Sequence, residues 1–223
     1  MTWKGRKELP SIMKTKLQFD IDKLRESVKE MEDKDWNACI GGPLNDLREA
    51  YGGRLSKIAY NKTNDEIDVN EAETYRYQQM ALTKFNPDYE IPEDRESGSR
   101  WDKSFMKGDK KYDERAYNSP IDDLPEYLKE VFSAFGPKLT RVNLAKLMPG
   151  EEVAPHIDYD TTFSTRYHIA IHTNEDCKLN DTHIPADGSV WFLNPGKMHS
   201  AVNNGDTPRT HIILNMDSQE LIA

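Results

Sequence analysis

The last third of the chain is cut into short β-rich runs, and no other feature constrains its fold so tightly. From residue 138 onward the runs LTRVNLAKLMPG, RYHIAIHTN, SVWFLNPG and RTHIILNMD follow one another. Glycine, proline, asparagine and aspartate interrupt them at roughly ten-residue intervals, the spacing of all-β sandwiches and barrels. Within YHIAIH, Tyr167, Ile169 and Ile171 alternate with His168, Ala170 and His172. One face of that strand is apolar and the other carries histidine, and alternation puts His172 beside His168. The expectation is an antiparallel β-sandwich or small barrel with helices packed outside it.

Residues 1–136 read mainly as helix and loop. In DIDKLRESVKEMEDKDW, Asp20 suits a helix N-cap, and Ile21, Leu24, Val28 and Met31 follow at helical spacing. NEAETYRYQQMALTKFN predicts a second helix. Residues 86–120 are polar and punctuated by proline and glycine, which predicts a long loop. Trp101 and Phe105 within it suggest a lid. DDLPEYLKEVFSAFG is the clearest helix: Leu124, Leu128, Val131 and Phe135 form an apolar stripe, Pro125 suits the first turn and Gly136 the C-terminal cap. The expected organisation is a single domain, 1–223, with the β core in 137–223.

The formal net charge of −9 argues against a nucleic-acid partner, which calls for a basic face. No long apolar run is present, so neither a membrane span nor a secretory leader is expected, and the expected location is cytoplasmic. Cys39 and Cys177 lie far apart and form no metal-type pair, as expected of free thiols in a reducing compartment. All six histidines lie in the last third of the chain, which points to a site there.

The stretch APHIDYDTT, residues 154–162, places His156 and Asp158 two apart. On extended backbone both side chains point to the same side. An imidazole nitrogen and a carboxylate oxygen so placed can share one metal ion. With a second histidine they form the facial triad of non-haem Fe(II) oxygenases, which leaves open coordination positions. His199, in NPGKMHSAVNN, is 199 − 158 = 41 residues further on, a reasonable distance for a strand returning across the sandwich. Such a site needs an electron source, usually 2-oxoglutarate, whose far carboxylate an arginine fork holds well. Arg209 lies at the start of the next β run. Each element alone is a weak signal, and together, in this order, they favour a metal site.

These residues resemble the aspartyl/asparaginyl β-hydroxylase family of Fe(II)- and 2-oxoglutarate-dependent oxygenases. The resemblance rests on LMPGEEVAPHIDYDTTFSTRYHIAIHTNEDCK and GSVWFLNPGKMHSAVNNGDTPRTHIILNMD, and most of all on H-x-x-V-x-N-x-G-D-x-P-R. It covers roughly residues 140–217. It implies a double-stranded β-helix (jelly-roll, cupin-like) core in an α+β fold. It implies His156, Asp158 and His199 as ligands of Fe(II), and Arg209 as partner of the distal carboxylate of 2-oxoglutarate. Arg166 and His168 would contact the cosubstrate too, and O2 would be the oxidant. The sequence keeps H-x-D, where members acting on protein side chains can carry glycine in place of the aspartate. In this it resembles bacterial proline cis-hydroxylases and departs from halogenases, which free that position for chloride. Ala145 stands near the place of a serine that helps hold the cosubstrate in the protein hydroxylases, so that contact is missing or replaced.

The implied activity is hydroxylation of an unactivated C–H bond in a small molecule, a free amino acid or an amino-acid residue in a peptide, with 2-oxoglutarate converted to succinate and CO2. Tyr159, Asp160 and Asn194 are candidates to orient the ligands. Trp191 reads as core, and His172, His183 and His211 as structural. Two other classes remain open at this point. One is a non-catalytic β-sandwich binding module. The other is a cupin-like metal-dependent hydrolase or isomerase.

Overall fold

The computed structural model describes residues 8–32, 77–90, 114–157, 165–218 and 221–222. Among them are eleven strands and two helices. The helices are α1 (Ile21–Lys29) and α2 (Glu126–Phe135). Six strands, all antiparallel, form a large sheet in the order β1-β9-β7-β11-β5-β2. They are β1 (Ile12–Gln18), β2 (Tyr77–Ala81), β5 (Leu139–Leu147), β7 (Thr165–His172), β9 (Ser189–Leu193) and β11 (Arg209–Met216). Three more, β6 (Glu152–His156), β8 (Cys177–Leu179) and β10 (His199–Asn203), form a small sheet in the order β6-β10-β8. β3 (Thr83–Lys84) and β4 (Ser119–Pro120) make a short ribbon. Two facing antiparallel sheets with helices on one outer face are the expected α+β double-stranded β-helix.

Strand alternation divides the large sheet into two faces. Val142 and Leu144 of β5, Tyr167, Ile169 and Ile171 of β7, and Ile212, Leu214 and Met216 of β11 join one apolar cluster with Leu24 and Val28 of α1 and Leu128, Val131, Phe132 and Phe135 of α2. Removing each such side chain from water is worth ~1.5–3 kcal/mol, so this outer core holds the helices to the sheet. The opposite face meets the small sheet through a second cluster. There Leu147, Ala170 and Leu193 pack with Leu179, Ile184 and Ala201.

Asp20 caps α1 as the sequence predicts, but the helix stops at Lys29, short of Met31, whereas α2 lies between the predicted Pro125 and Gly136. The Asp20 carboxylate accepts from the amides of Asp22 and Lys23 at 3.0 and 3.2 Å. Helix α2 starts after Pro125 and stops at Gly136, whose φ of 77° suits glycine.

Elsewhere the structure corrects the sequence reading. Tyr77–Ala81, predicted helical, is β2, paired to β5 from Tyr77↔Leu147 to Ala81↔Asn143. Met80 enters the outer core beside Leu144, and pairing with an existing sheet overrides weak local propensity. Residues 70–76 lie outside the described residues. Ile12–Gln18, for which no strand was predicted, is an edge strand on β9. Of the loop expected at 86–120, Glu114–Ala116 form a 3₁₀ turn and Ser119–Pro120 a strand. Trp101 and Phe105 lie outside the described residues, as does Cys39. Cys177 is buried as a free thiol. Among the described residues no helix is long and apolar enough to cross a membrane.

Candidate active site

His156, Arg166, His168, His199 and Arg209 each owe their placement to a strand. β6 and β10 pair so that His156 stands directly opposite His199. Their rings meet, with centroids 4.2 Å apart and planes at 54°. His199 is buried. Its Nδ1 lies 2.9 Å from the Lys197 carbonyl, which can only accept, so Nδ1 carries the proton and Nε2 carries the lone pair. That tautomer is the one a metal ligand requires, with the backbone carbonyl orienting the ring. Two imidazoles so close can each present a nitrogen at about 2 Å to one divalent ion, so the pair fits a metal. Asp158, Tyr159 and Asp160 lie outside the described residues.

The turn before His199 is tied down from several directions. The buried Asn194 accepts from the Gly196 amide at 3.1 Å through Oδ1, and its Nδ2 reaches the Leu9 carbonyl at 3.4 Å. Lys197 Nζ donates to the same carbonyl at 2.6 Å. Asn194 thus bears on His199 through the turn that carries it.

Arg209, His211, Ile213 and Asn215 alternate along β11 on the face toward the small sheet. Arg209 is buried at the start of the strand. Its Nε donates to His211 Nε2 at 3.1 Å, and its Nη2 lies 2.9 Å from His211 Nδ1. His211 Nδ1 is in turn 3.4 Å from His168 Nδ1. Burial pushes the His211 pKa well below the usual histidine range, and the charge of Arg209 and the neighbouring His168 and His183 push it further. A neutral imidazole beside a guanidinium that keeps its charge at every accessible pH adds no second cation there, and the planar guanidinium fork is itself suited to a carboxylate. Ala145 stands opposite His211 on β5. No hydroxyl is available there, and the small side chain faces the imidazole that supports Arg209.

Of the two remaining predicted cosubstrate contacts, His168 is buried against His211. Arg166 lies six residues along the sheet from Arg209, opposite Asn215, whose Oδ1 accepts from its Nε at 2.8 Å. The two arginines therefore stand at opposite ends of the inner face, with His168 between them.

His172 is not on that face. β7 skips Ile171 between the pairs His211↔Ala170 and Thr210↔His172. This bulge re-aims the side chain. His172 lines an outer cavity of ≈ 380 Å³ with Arg25, Lys146 and Thr210, across the sheet from the histidine pair. His183 Nδ1 lies 3.3 Å from the Cys177 carbonyl, a structural contact. Trp191 packs half-buried on the inter-sheet cluster and donates to Ser189 Oγ at 2.9 Å.

Asn203 was not singled out from the sequence, though the string H-x-x-V-x-N contains it. Fully buried at the far end of β10, it donates to the Leu147 and Thr207 carbonyls at 2.9 Å each and accepts from the Gly205 amide at 3.2 Å. Leu147 pairs with Arg209. Asn203 therefore knots the histidine strand to the turn that delivers the arginine.

The sequence pattern of the aspartyl/asparaginyl β-hydroxylases matches residues 64–219, well over half of the chain. The chain belongs to this family. An L-proline cis-4-hydroxylase from Rhizobium meliloti (strain 1021) is 29% identical over 114 residues, which cover 46% of this chain and 39% of that protein. The chain thus matches well under half the length of that relative. Among solved structures, an oxidoreductase of the 2OG-Fe(II) oxygenase family from Burkholderia pseudomallei is 10% identical, with a TM-score of 0.40 over 66% of this chain and 71% of that one. A predicted oxalate decarboxylase from Thermotoga maritima is 22% identical, with a TM-score of 0.29 over 38% of this chain and 71% of that one.

Proposed function

We propose that this family member is an Fe(II)- and 2-oxoglutarate-dependent dioxygenase that hydroxylates an unactivated C–H bond of a small amino-acid substrate. The observation that carries the reading is the meeting of His156 and His199 ring to ring across β6 and β10, with the His199 tautomer already set for a metal. His156, His199 and Asp158 would hold the iron. Bound iron supplies the coupling of O2 reduction and 2-oxoglutarate decarboxylation to hydroxylation. The chain's own tasks are binding, orientation and water exclusion. Arg209 would take the distal carboxylate of 2-oxoglutarate as a fork, with neutral His211 fixing the plane of the guanidinium. His168 and Arg166, further along the same face, would meet the metal-proximal end of the cosubstrate. The apolar cluster of Leu147, Ala170, Leu193, Leu179 and Ala201 keeps water from the space between the sheets. The proline hydroxylase relative supports an amino-acid substrate.

The test is an anaerobic titration with Fe(II) and 2-oxoglutarate, read by the visible metal-to-ligand charge-transfer band. Wild type should develop the band, His199→Ala should abolish it, and Arg209→Ala should raise the 2-oxoglutarate concentration at its midpoint. A metal-loaded wild type without a band refutes the reading.

A further inference from the structure

Arg209 and His211 stand two apart on β11, so both face the space between the sheets. His211 is flanked by Ala145 on β5 and Ala170 on β7, whose methyl groups bring neither donor nor acceptor. Its polar contacts run along its own strand and diagonally to β7. Arg209 Nε donates to His211 Nε2 at 3.1 Å, and Arg209 Nη2 lies 2.9 Å from His211 Nδ1. The same Nδ1 is 3.4 Å from His168 Nδ1. His168 is reached across the diagonal because it pairs with Ile213, two residues along. The two imidazoles meet edge to face, with centroids 5.6 Å apart and planes at 73°.

The protons on these rings follow from what each group can offer. A guanidinium has donors only and keeps its charge. A doubly protonated imidazole has no lone pair to give it. Burial first, then the charges of Arg209, His168 and His183, hold the His211 pKa well below the usual histidine range. The ring is therefore neutral and has one lone pair. Its two nitrogens point in diverging directions, whereas those of the guanidinium lie side by side, so only one of the two arginine contacts is an in-plane hydrogen bond.

Suppose the lone pair is on Nδ1. Arg209 Nη2 and His168 then compete for it, and the Nε2–H faces the Nε–H of Arg209, donor against donor. Suppose instead it is on Nε2. That nitrogen takes the Arg209 Nε–H, and the Nδ1–H is left to donate to His168 Nδ1, while Nη2 packs against the ring. Only the second arrangement gives each bond of the chain its own donor and its own acceptor. His168 Nδ1 must then accept, so that ring is also neutral and carries its proton on Nε2. The direction is imposed by the arginine, a permanent cation that donates to one ring, which donates to the next, each bond polarising the one after it. An imidazole protonated on Nε2 offers a donor there and can meet a carboxylate; the other tautomer would offer a lone pair and repel one.

We propose that His211 is a positioning residue that couples Arg209 to His168, accepting from the guanidinium on Nε2 and donating from Nδ1, so that His168 presents an Nε2–H to the cosubstrate. One imidazole thus sets both groups that would hold the two ends of 2-oxoglutarate. The proposal deepens the hydroxylase reading and rests on it for the identity of the ligand, but the proton positions can be read with neither metal nor cosubstrate present.

The experiment has two arms. Two-bond 1H–15N correlation spectra of metal-free protein with 15N-labelled histidine, at neutral pH, show which ring nitrogen carries each proton, with peaks assigned by their loss in His211→Asn and His168→Gln. In wild type His211 reads as Nδ1–H and His168 as Nε2–H. His211→Asn, whose amide can accept from Arg209 and donate to His168, keeps His168 as Nε2–H. His211→Phe can do neither, and His168 becomes a mixture of tautomers. The second arm is the anaerobic Fe(II) and 2-oxoglutarate titration. His211→Phe raises the 2-oxoglutarate midpoint roughly 10- to 100-fold, the loss expected when a hydrogen bond to a charged group goes, and His211→Asn regains most of it. An Nε2–H on His211 or an Nδ1–H on His168 in wild type overturns the proposal, and that arm needs no variant to fold. So does a His168 tautomer that His211→Phe leaves unchanged, a midpoint equal to wild type in His211→Phe, or an equal loss in both variants. Absence of the band in wild type with the expected tautomers in place would instead refute the hydroxylase reading and leave the coupling of Arg209 to His168 standing.

Discussion

Asn203→Ala is the substitution whose cost follows most directly from the structure. The side chain is fully buried and saturated. It donates to the Leu147 and Thr207 carbonyls at 2.9 Å, and accepts from Gly205 N at 3.2 Å, Asn174 Nδ2 at 3.3 Å and Cys177 Sγ at 3.1 Å. The sulfur contact and the long Asn174 bond count for little. The other three are worth ~1 kcal/mol each, and stranding a buried partner adds a similar amount, so the total is ~3–4 kcal/mol. A chain of this size loses ~2–4 °C of melting temperature per kcal/mol, so Tm should fall by roughly 10 °C. Thermal denaturation followed by circular dichroism reads the stability. The 2-oxoglutarate titration reads the second consequence, since the lost bonds hold Leu147, opposite Arg209, and Thr207, two residues before it. The affinity for 2-oxoglutarate should weaken roughly tenfold, the ~1.4 kcal/mol equivalent. Asn203→Asp, nearly the same shape, keeps the acceptors, loses both donors and buries a charge, so it should be at least as damaging. A fall of less than about 3 °C in Asn203→Ala with unchanged cosubstrate affinity would show that the knot holds nothing, and the reasoning would fail.

Two further predictions concern stability. His211 is buried, with its native pKa held well below 6.5 by burial, Arg209 and His168. As pH falls below about 6.5 the unfolded chain gains a proton that the native chain refuses, so stability falls, by up to ~1.4 kcal/mol per pH unit, until the native value is reached; above that range the term vanishes. Urea midpoints measured from about pH 7 to about pH 5 should decline more steeply in wild type than in His211→Asn, and parallel curves would contradict the assignment. Gly188 has φ 84°, and an added Cβ would lie on the backbone of Phe19, whose amide donates to the Gly188 carbonyl at 2.9 Å. Gly188→Ala should therefore cost on the order of 3 kcal/mol and prise β1 from β9; a Tm within about 2 °C of wild type would count against it.

The C-terminal strands were legible because they rest on local signals: in TRYHIAIH the period of two separates the outer core from the inner face, and the structure brings His156 and His199 of this segment together. The N-terminal strands were not legible for the opposite reason. In IMKTKLQ, Lys14 and Lys16 alternate with Met13, Thr15 and Leu17, a charged edge-strand pattern, but its meaning depends on β9, far away in sequence. YQQMA carries no strong strand propensity and becomes a strand because β5 offers an edge. The His172 error has a single cause. Alternation was carried through Ile171, and one bulged residue reverses every later side chain.

The proposed reaction would require a fixed distance between a metal on the histidine pair and Arg209 at the far end of its cosubstrate, yet the two lie on different sheets. The inter-sheet cluster and the knot at its far end would fix that distance. The spacing of the sheets is set by close-packed side chains of moderate size, Ala170 and Ala201 among them, so a larger residue at either would push His199 away from His168 and Arg209. Sliding of one sheet along the other is opposed by Asn203, which bonds β10 to the end of β5 and to the turn before Arg209. At the opposite end Asn194 and Lys197 tie the turn before His199 to Leu9, just ahead of the edge strand β1. Each end of the histidine strand is thus anchored to the large sheet or to the chain entering it. The same reasoning explains why Ala145 and His211 stand opposite one another. With a small side chain on β5, the support for Arg209 comes from its own strand, two residues along, and moves with the arginine rather than with the neighbouring strand.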